Sequence, residues 1–219
     1  SDRATSILRE LSADLEAEGG VKSPVMLKRA EELRGEAREM NLTDMDRALA
    51  LEMWKYYQSS GQVYSSQAVS LAESLTEGMI PSQDATTTET EYIMSGLSPE
   101  DQELLPGWID SLASAGDTRN MKSIMMLCHQ LSTRCIREEE WRKGSDYSWA
   151  VLKHAWPDVE DAQTRAKFSS DLSPLMSSLA LDYAYCIFRR LDVKRATIVY
   201  GNAFKASITA DQVAVPAVT

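Results

Sequence analysis

Residues 118–143 read TRNMKSIMMLCHQLSTRCIREEEWRK, and the recurrence of their apolar side chains decides the class of the fold. Met121, Ile124, Met125, Cys128, Leu131, Cys135 and Ile136 follow one another at steps of one, three and four. That is the signature of one face of an α-helix, not the alternation of a strand. Arg142 and Lys143 precede Gly144, placing cations where a helix dipole favours them and glycine where a left-handed cap is needed. The spacing predicts one long helix over 118–143.

The same periodicity extends in both directions. Upstream, Ile7, Leu8, Leu11 and Leu15 mark a first helix ending near Gly19 and Gly20, and Ser23 with Pro24 opens a second that carries Leu27, Ala30, Leu33, Ala37 and Met40. Serine at the N-cap followed by proline at the first helical position is a favoured start. Thr43 begins a third, with Ala48, Leu49, Leu51, Met53 and Trp54 facing inward, and Ser65 or Ser66 begins a fourth that ends at Gly78. Ser98 with Pro99 starts another, which Pro106 and Gly107 are expected to break or re-aim. Downstream, Asp146 is expected to cap a segment holding Trp149, Val151, Leu152 and Trp156, which Pro157 stops, while 158–168 amounts to a short amphipathic piece. Ser173 and Pro174 open a last long helix that is apolar nearly all round, from Leu175 through Leu179, Tyr183 and Ile187 to Leu191, and so predicted to be central. Residues 196–200 suit either a helix or a short strand. The class is all-α: a bundle of about eight or nine helices arranged as antiparallel hairpins. The predicted organisation is an acidic helical subdomain over 1–80, a linker over 81–97, a C-terminal helical subdomain with a basic cluster over 98–209, and a tail over 210–219.

Two stretches carry a local resemblance. Ser60-Gly61-Gln62, Ala68, Leu71, Leu75, Gly78 and Ile80-Pro81 resemble the helical hairpin of the tetratricopeptide and pentatricopeptide repeat families. A second hairpin turns at Ser114-Ala115-Gly116-Asp117. The resemblance implies antiparallel helix pairs and no more, because Gly61 and Gly116 stand 55 residues apart where such repeats recur at about 34.

Charge is distributed unevenly. No lysine or arginine lies between Lys55 and Arg119, and the 63 intervening residues carry ten carboxylates. Residues 1–118 hold 9 basic and 22 acidic side chains, net −13, whereas 119–219 hold 14 and 11, net +3. Such asymmetry bears on partners and association. Arg189, Arg190, Lys194, Arg195 and Lys205 form the densest cationic group, interleaved with Tyr183, Tyr185, Tyr200 and Phe204, and Arg134 and Arg137 decorate the predicted long helix. Cations beside aromatics neutralise phosphates and stack bases, so these seven are the candidate nucleic-acid contacts. Glu89, Glu91, Glu100, Asp101 and Glu103, with Trp141 on a polar flank, are the candidate protein interface.

Signatures of chemistry are missing from the sequence. It contains no glycine-rich phosphate loop, GxSxG elbow, HExxH or paired ExxH. Cys128 and Cys135 would lie about 10 Å apart along one helix, too far to chelate together, and with Cys186 they make an odd count that suits reduced core thiols. No catalytic residue, metal site or cofactor is predicted. The charged, periodic start and the absence of a long apolar run predict a cytoplasmic protein, or a virion component if it forms a coat. The expected role is a non-catalytic structural protein of coat or nucleocapsid type that self-assembles and contacts single-stranded RNA through its basic cluster. A helical-hairpin adaptor that binds protein partners without nucleic acid is the alternative.

Overall fold

A computed structural model describes residues 2–81, 87–116, 118–164 and 172–213. Among them there are ten helices and no strand. The chain divides into two compact units, Ser1–Glu77 and Gly78–Thr219. The first holds α1 (Asp2–Ala17), α2 (Pro24–Glu39), α3 (Thr43–Ser59) and α4 (Ser66–Leu75). The second holds α5 (Thr87–Ser95), α6 (Pro99–Ser114), α7 (Thr118–Arg137), α8 (Trp141–Ala155), α9 (Ser173–Arg189) and α10 (Val193–Val213). Helix α5 runs inside the stretch 81–97 assigned to a linker, and the end of the tail, 214–219, lies outside the described residues.

In the first unit the caps form as the residues dictate. Ser23 Oγ accepts from the N–H of Met26 at 3.2 Å and Ser65 Oγ from that of Ala68 at 3.2 Å. Arg34, almost wholly buried, ties three helices together: its Nε donates to Asp46 Oδ1 on α3 at 2.6 Å and its Nη2 to Ser74 Oγ on α4 at 2.7 Å. Burial pushes its pKa down while Asp46 pushes it back up.

Three hairpins share one turn. At α2–α3, α7–α8 and α9–α10 the chain leaves a helix through a residue of positive φ, Asn41 (56°), Glu139 (60°) and Leu191 (70°). The N–H of the following residue then reaches back to a carbonyl in the last turn: Leu42 to Ala37 at 2.8 Å, Glu140 to Cys135 at 2.8 Å, Asp192 to Ile187 at 3.0 Å. This is the left-handed helix stop in which glycine or asparagine is usual. Because Glu139 fills the role, the single helix expected over 118–143 is two. Gly144, expected to end it, lies inside α8 together with Asp146, which caps nothing.

Helix α6 is also unbroken, running through Pro106 and Gly107. Proline at 106 removes the N–H that would bond the carbonyl of Gln102. That carbonyl instead accepts the hydroxyl of Tyr147 on α8 at 2.7 Å. A side chain from the neighbouring helix thus replaces the missing backbone donor. Asp110 on α6 meets Lys153 (2.5 Å) and His154 (2.6 Å) on α8, so α6 and α8 run in the same direction. Helix α8 runs against α7, with Ser148 opposite Ser132, and against α9, with Trp141 near Arg189 and Trp149 near Tyr183. Helix α10 packs on α9 and α6 on α8 and α7.

Tyr147→Phe should cost about 1–3 kcal/mol, the penalty for leaving a buried carbonyl unpaired. In a Pro106→Ala background, where residue 106 regains an N–H for that carbonyl, the cost should shrink. Urea denaturation of both single variants and the double against the parent measures the difference.

Candidate nucleic-acid interface

The predicted contacts stand on α7, α10 and the end of α9, and a glycine of α8 sets how closely α7 and α9 approach. A Cβ on Gly144 would come within 2.7 Å of Cys186 Sγ on α9 and 3.3 Å of Cys135 Cβ on α7. The first is closer than packed atoms tolerate and the second is tight, so the absence of a side chain at residue 144 lets α7, α8 and α9 meet this closely. Beside it the hydroxyls of Ser132 and Ser148 lie 2.7 Å apart and 3.1 and 3.0 Å from the carbonyl of Gly144. The C-terminal ends of α7 and α9 and the N-terminal ends of α8 and α10 therefore gather at one end of the second unit.

This gathers cations that stand in two separate groups along the sequence. Arg134 and Arg137 close α7, Arg142 and Lys143 open α8, and Arg189, Arg190, Lys194 and Arg195 flank the α9–α10 turn. The Arg189 guanidinium lies over the Trp141 ring at 4.4 Å and its Nη1 donates to the Tyr185 hydroxyl at 3.3 Å, while Trp141 and Tyr185 meet edge to face at 5.8 Å. Trp141, expected on a polar flank, is half-buried beneath this arginine. Arg190 donates to Ser145 Oγ at 2.8 Å and remains exposed.

Other predicted contacts are committed elsewhere. Arg195 is paired with Glu160 and lies over the stacked rings of Trp149 and Tyr183, at 5.5 and 5.7 Å. Tyr183 donates to the same Glu160 at 2.8 Å. Arg195 is thus a brace between α10 and the turn after α8, not an open phosphate contact. Arg134 is paired with Glu138 at 2.9 Å and Lys143 with Glu140 at 2.8 Å. Lys205 lies eleven residues beyond Lys194 on α10, about 17 Å along the axis, and does not belong to this end. Arg137, Arg189, Arg190 and Lys194 are exposed and, among the described residues, have no carboxylate within 4.0 Å.

The predicted acidic face is divided too. Glu91, Met94, His129, Gln130, Arg134, Arg137 and Glu138 line a cleft of about 590 Å³, which puts one acidic candidate beside two basic ones. Glu100 and Glu103 are exposed on α6, and Asp101, whose N–H donates to the N-cap Ser98, is partly buried. The side chain of Glu89 lies outside the described residues.

The α9–α10 hairpin differs most from expectation. Helix α9 is not buried all round: Leu181, Tyr185 and Phe188 are exposed along one stripe, and Val193, Tyr200 and Phe204 along one stripe of α10. With Leu191, 86% exposed at the turn, they make seven of the ten exposed large apolar side chains among the described residues. Clusters of exposed apolar side chains are a feature that interaction surfaces carry. Helical character is visible in the residues themselves, but which face meets water depends on neighbours that sequence spacing does not reveal.

Candidate metal or nucleophile residues do not converge. Cys128, Cys135 and Cys186 are buried and free; burial pushes all three thiols up, to about 11 for Cys135 and about 12 for Cys186. Thiols so raised remain protonated and unreactive. His129 Nδ1 meets Asp182 Oδ2 at 2.6 Å, and His154 is held by Asp110. Among the described residues no group of three His, Cys, Asp or Glu is placed to hold a metal ion. No helix among them is long and apolar enough to cross a membrane. Comparison with protein-family models, curated proteins and solved structures finds no match to the chain.

Gly144→Ala should destabilise by about 1–3 kcal/mol through overpacking, with Cys186→Ala restoring part of that stability in thermal unfolding. The His129–Asp182 bond raises the imidazole pKa. Its stabilisation is therefore present below the unfolded value of about 6.5 for as long as Asp182, whose own pKa burial raises, stays ionised. It disappears as pH climbs through the raised folded value of His129. Denaturation midpoints should fall over that rise in the parent and fall less in His129→Gln.

Proposed function

We propose that the chain is a non-catalytic structural protein that self-assembles, and that it contacts single-stranded RNA at the cationic end of its second unit. What carries this is the convergence at one end of the second unit of exposed Arg137, Arg189, Arg190 and Lys194, with Arg189 lying over Trp141 beside Tyr185. Exposed arginines beside a partly exposed aromatic pair suit the alternation of phosphate and base along a flexible strand. The C-terminal dipoles of α7 and α9 hold these cations in place. Raised thiol pKa values and the engagement of both histidines with carboxylates support a role without covalent catalysis. The exposed apolar hairpin supports association.

Charge counted by folded unit alters the basis for assembly. Residues 1–77 carry 9 basic and 14 acidic side chains, and 78–219 carry 14 and 19, so each unit is net −5. Attraction between an acidic and a basic half thus gives way to local patches within one unit. The same equality favours a second reading, an adaptor that takes a protein partner on the apolar hairpin and meets no nucleic acid.

Anisotropy of a labelled single-stranded RNA, titrated at several salt concentrations, separates the two. Log affinity should fall linearly with log salt, and Arg189→Glu/Arg190→Glu should abolish retention and flatten the slope by about 0.7 for each phosphate no longer neutralised. Binding absent in the parent, or unchanged in the variant, would leave the adaptor.

A further inference from the structure

Within unit 2, α10 and the α5–α6 segment pack on different helices. Helix α10 packs on α9, whereas α6 packs on α8 and α7, and α5 on α7. The two edges differ in charge. Along α10, Val193, Thr197, Tyr200 and Phe204 form an exposed stripe with Lys194 and Lys205 on its flank, and Arg189 and Arg190 at its turn. From 178 to 207 there are five cations and two carboxylates, and one of the two, Asp182, is occupied by His129. Helices α5 and α6 themselves carry no lysine or arginine, although Glu91 shares its cleft with Arg134 and Arg137 of α7; they expose Glu91, Glu100 and Glu103, with Tyr92 80% exposed among them.

Two details of the basic edge are costly within the folded chain, and the hairpin turn that sets the backbone of Leu191 leaves its side chain bare. Leu191 holds φ 70°, a strained conformation for a residue with a side chain, yet that side chain packs on nothing that shields it. Gly201 stands inside α10, where glycine costs about 1 kcal/mol against alanine, and a Cβ there would meet nothing within 4 Å. Nothing among the described residues requires glycine at 201. A partner backbone passing close over α10 would require it, and an apolar partner surface would use Leu191.

We infer that the occupant of this face is the α5–α6 edge of a second copy of the chain, in a head-to-tail contact. Like charges oppose a two-fold pairing of the basic face with itself, whereas the acidic edge supplies both opposite charge and an exposed aromatic ring. Because the contact joins two different faces, it repeats from copy to copy. This deepens the assembly reading above and rests on it.

The test is light scattering on size-exclusion fractions across protein concentration at low salt. One variant disables the basic edge, Tyr200→Glu/Phe204→Glu; another disables the acidic edge, Glu91→Lys/Glu103→Lys. Each alone should associate at least about tenfold more weakly than the parent, as removal of a central interface side chain does, and an equimolar mixture should recover a dimer that grows no further. Gly201→Gln serves as the control for folding: it should hold or raise the melting temperature while weakening association. A parent that stays monomeric at every concentration removes the assembly reading and this contact with it. A parent that associates, with either edge variant associating undiminished, overturns the head-to-tail contact and leaves assembly standing by another face.

Discussion

The close approach of three helices at Gly144 is the constraint on which the second unit depends. A single methyl group there would collide with the Cys186 sulfur and crowd Cys135, and both thiols are buried. Given that contact, much else follows. Ser132 and Ser148 must satisfy each other and the Gly144 carbonyl, because no water reaches them. The C-termini of α7 and α9 lie side by side, so cations placed there by their separate dipoles form one field. Trp141, at the start of α8, is left under Arg189.

A second theme is replacement of missing backbone partners by side chains from neighbouring elements. Tyr147 satisfies the carbonyl that Pro106 orphans. Asn202 on α10 donates to the carbonyls of Val159 and Asp161 at 2.8 Å each, pinning the turn that follows α8. Glu160 in that turn takes both Tyr183 and Arg195. Buried polar groups of this kind cost more when unpaired than they contribute when paired, so they specify register between helices more than they add stability. They also explain why an arginine that looks like a phosphate ligand in the sequence is unavailable to one.

Charge illustrates the difference between an order along the chain and an arrangement in space. The cationless stretch from Lys55 to Arg119 is real, but the boundary between folded units falls inside it, after Glu77. Both units end with the same net charge, and the meaningful contrast becomes one between edges of a single unit. Glu91 faces Arg134 and Arg137 across a shared cleft, although 43 residues separate it from the nearer of the two.

Helix content and most helix starts were legible in the residues themselves, because apolar spacing and the Ser-Pro pairs at 23–24 and 98–99 act locally. The turns at Glu139 and Leu191 were not, since their left-handed backbone is imposed by the packing of the helices on either side and no intrinsic preference announces it. Nor could spacing tell Gly144, needed for close packing, from a glycine needed for a cap. Apolar periodicity determined that α9 is a helix and left 196–200 open between helix and strand; only the tertiary structure decided that α10 is helical there and that one stripe of each meets water. Burial belongs to pairs of surfaces, and the sequence of one surface does not say what lies opposite.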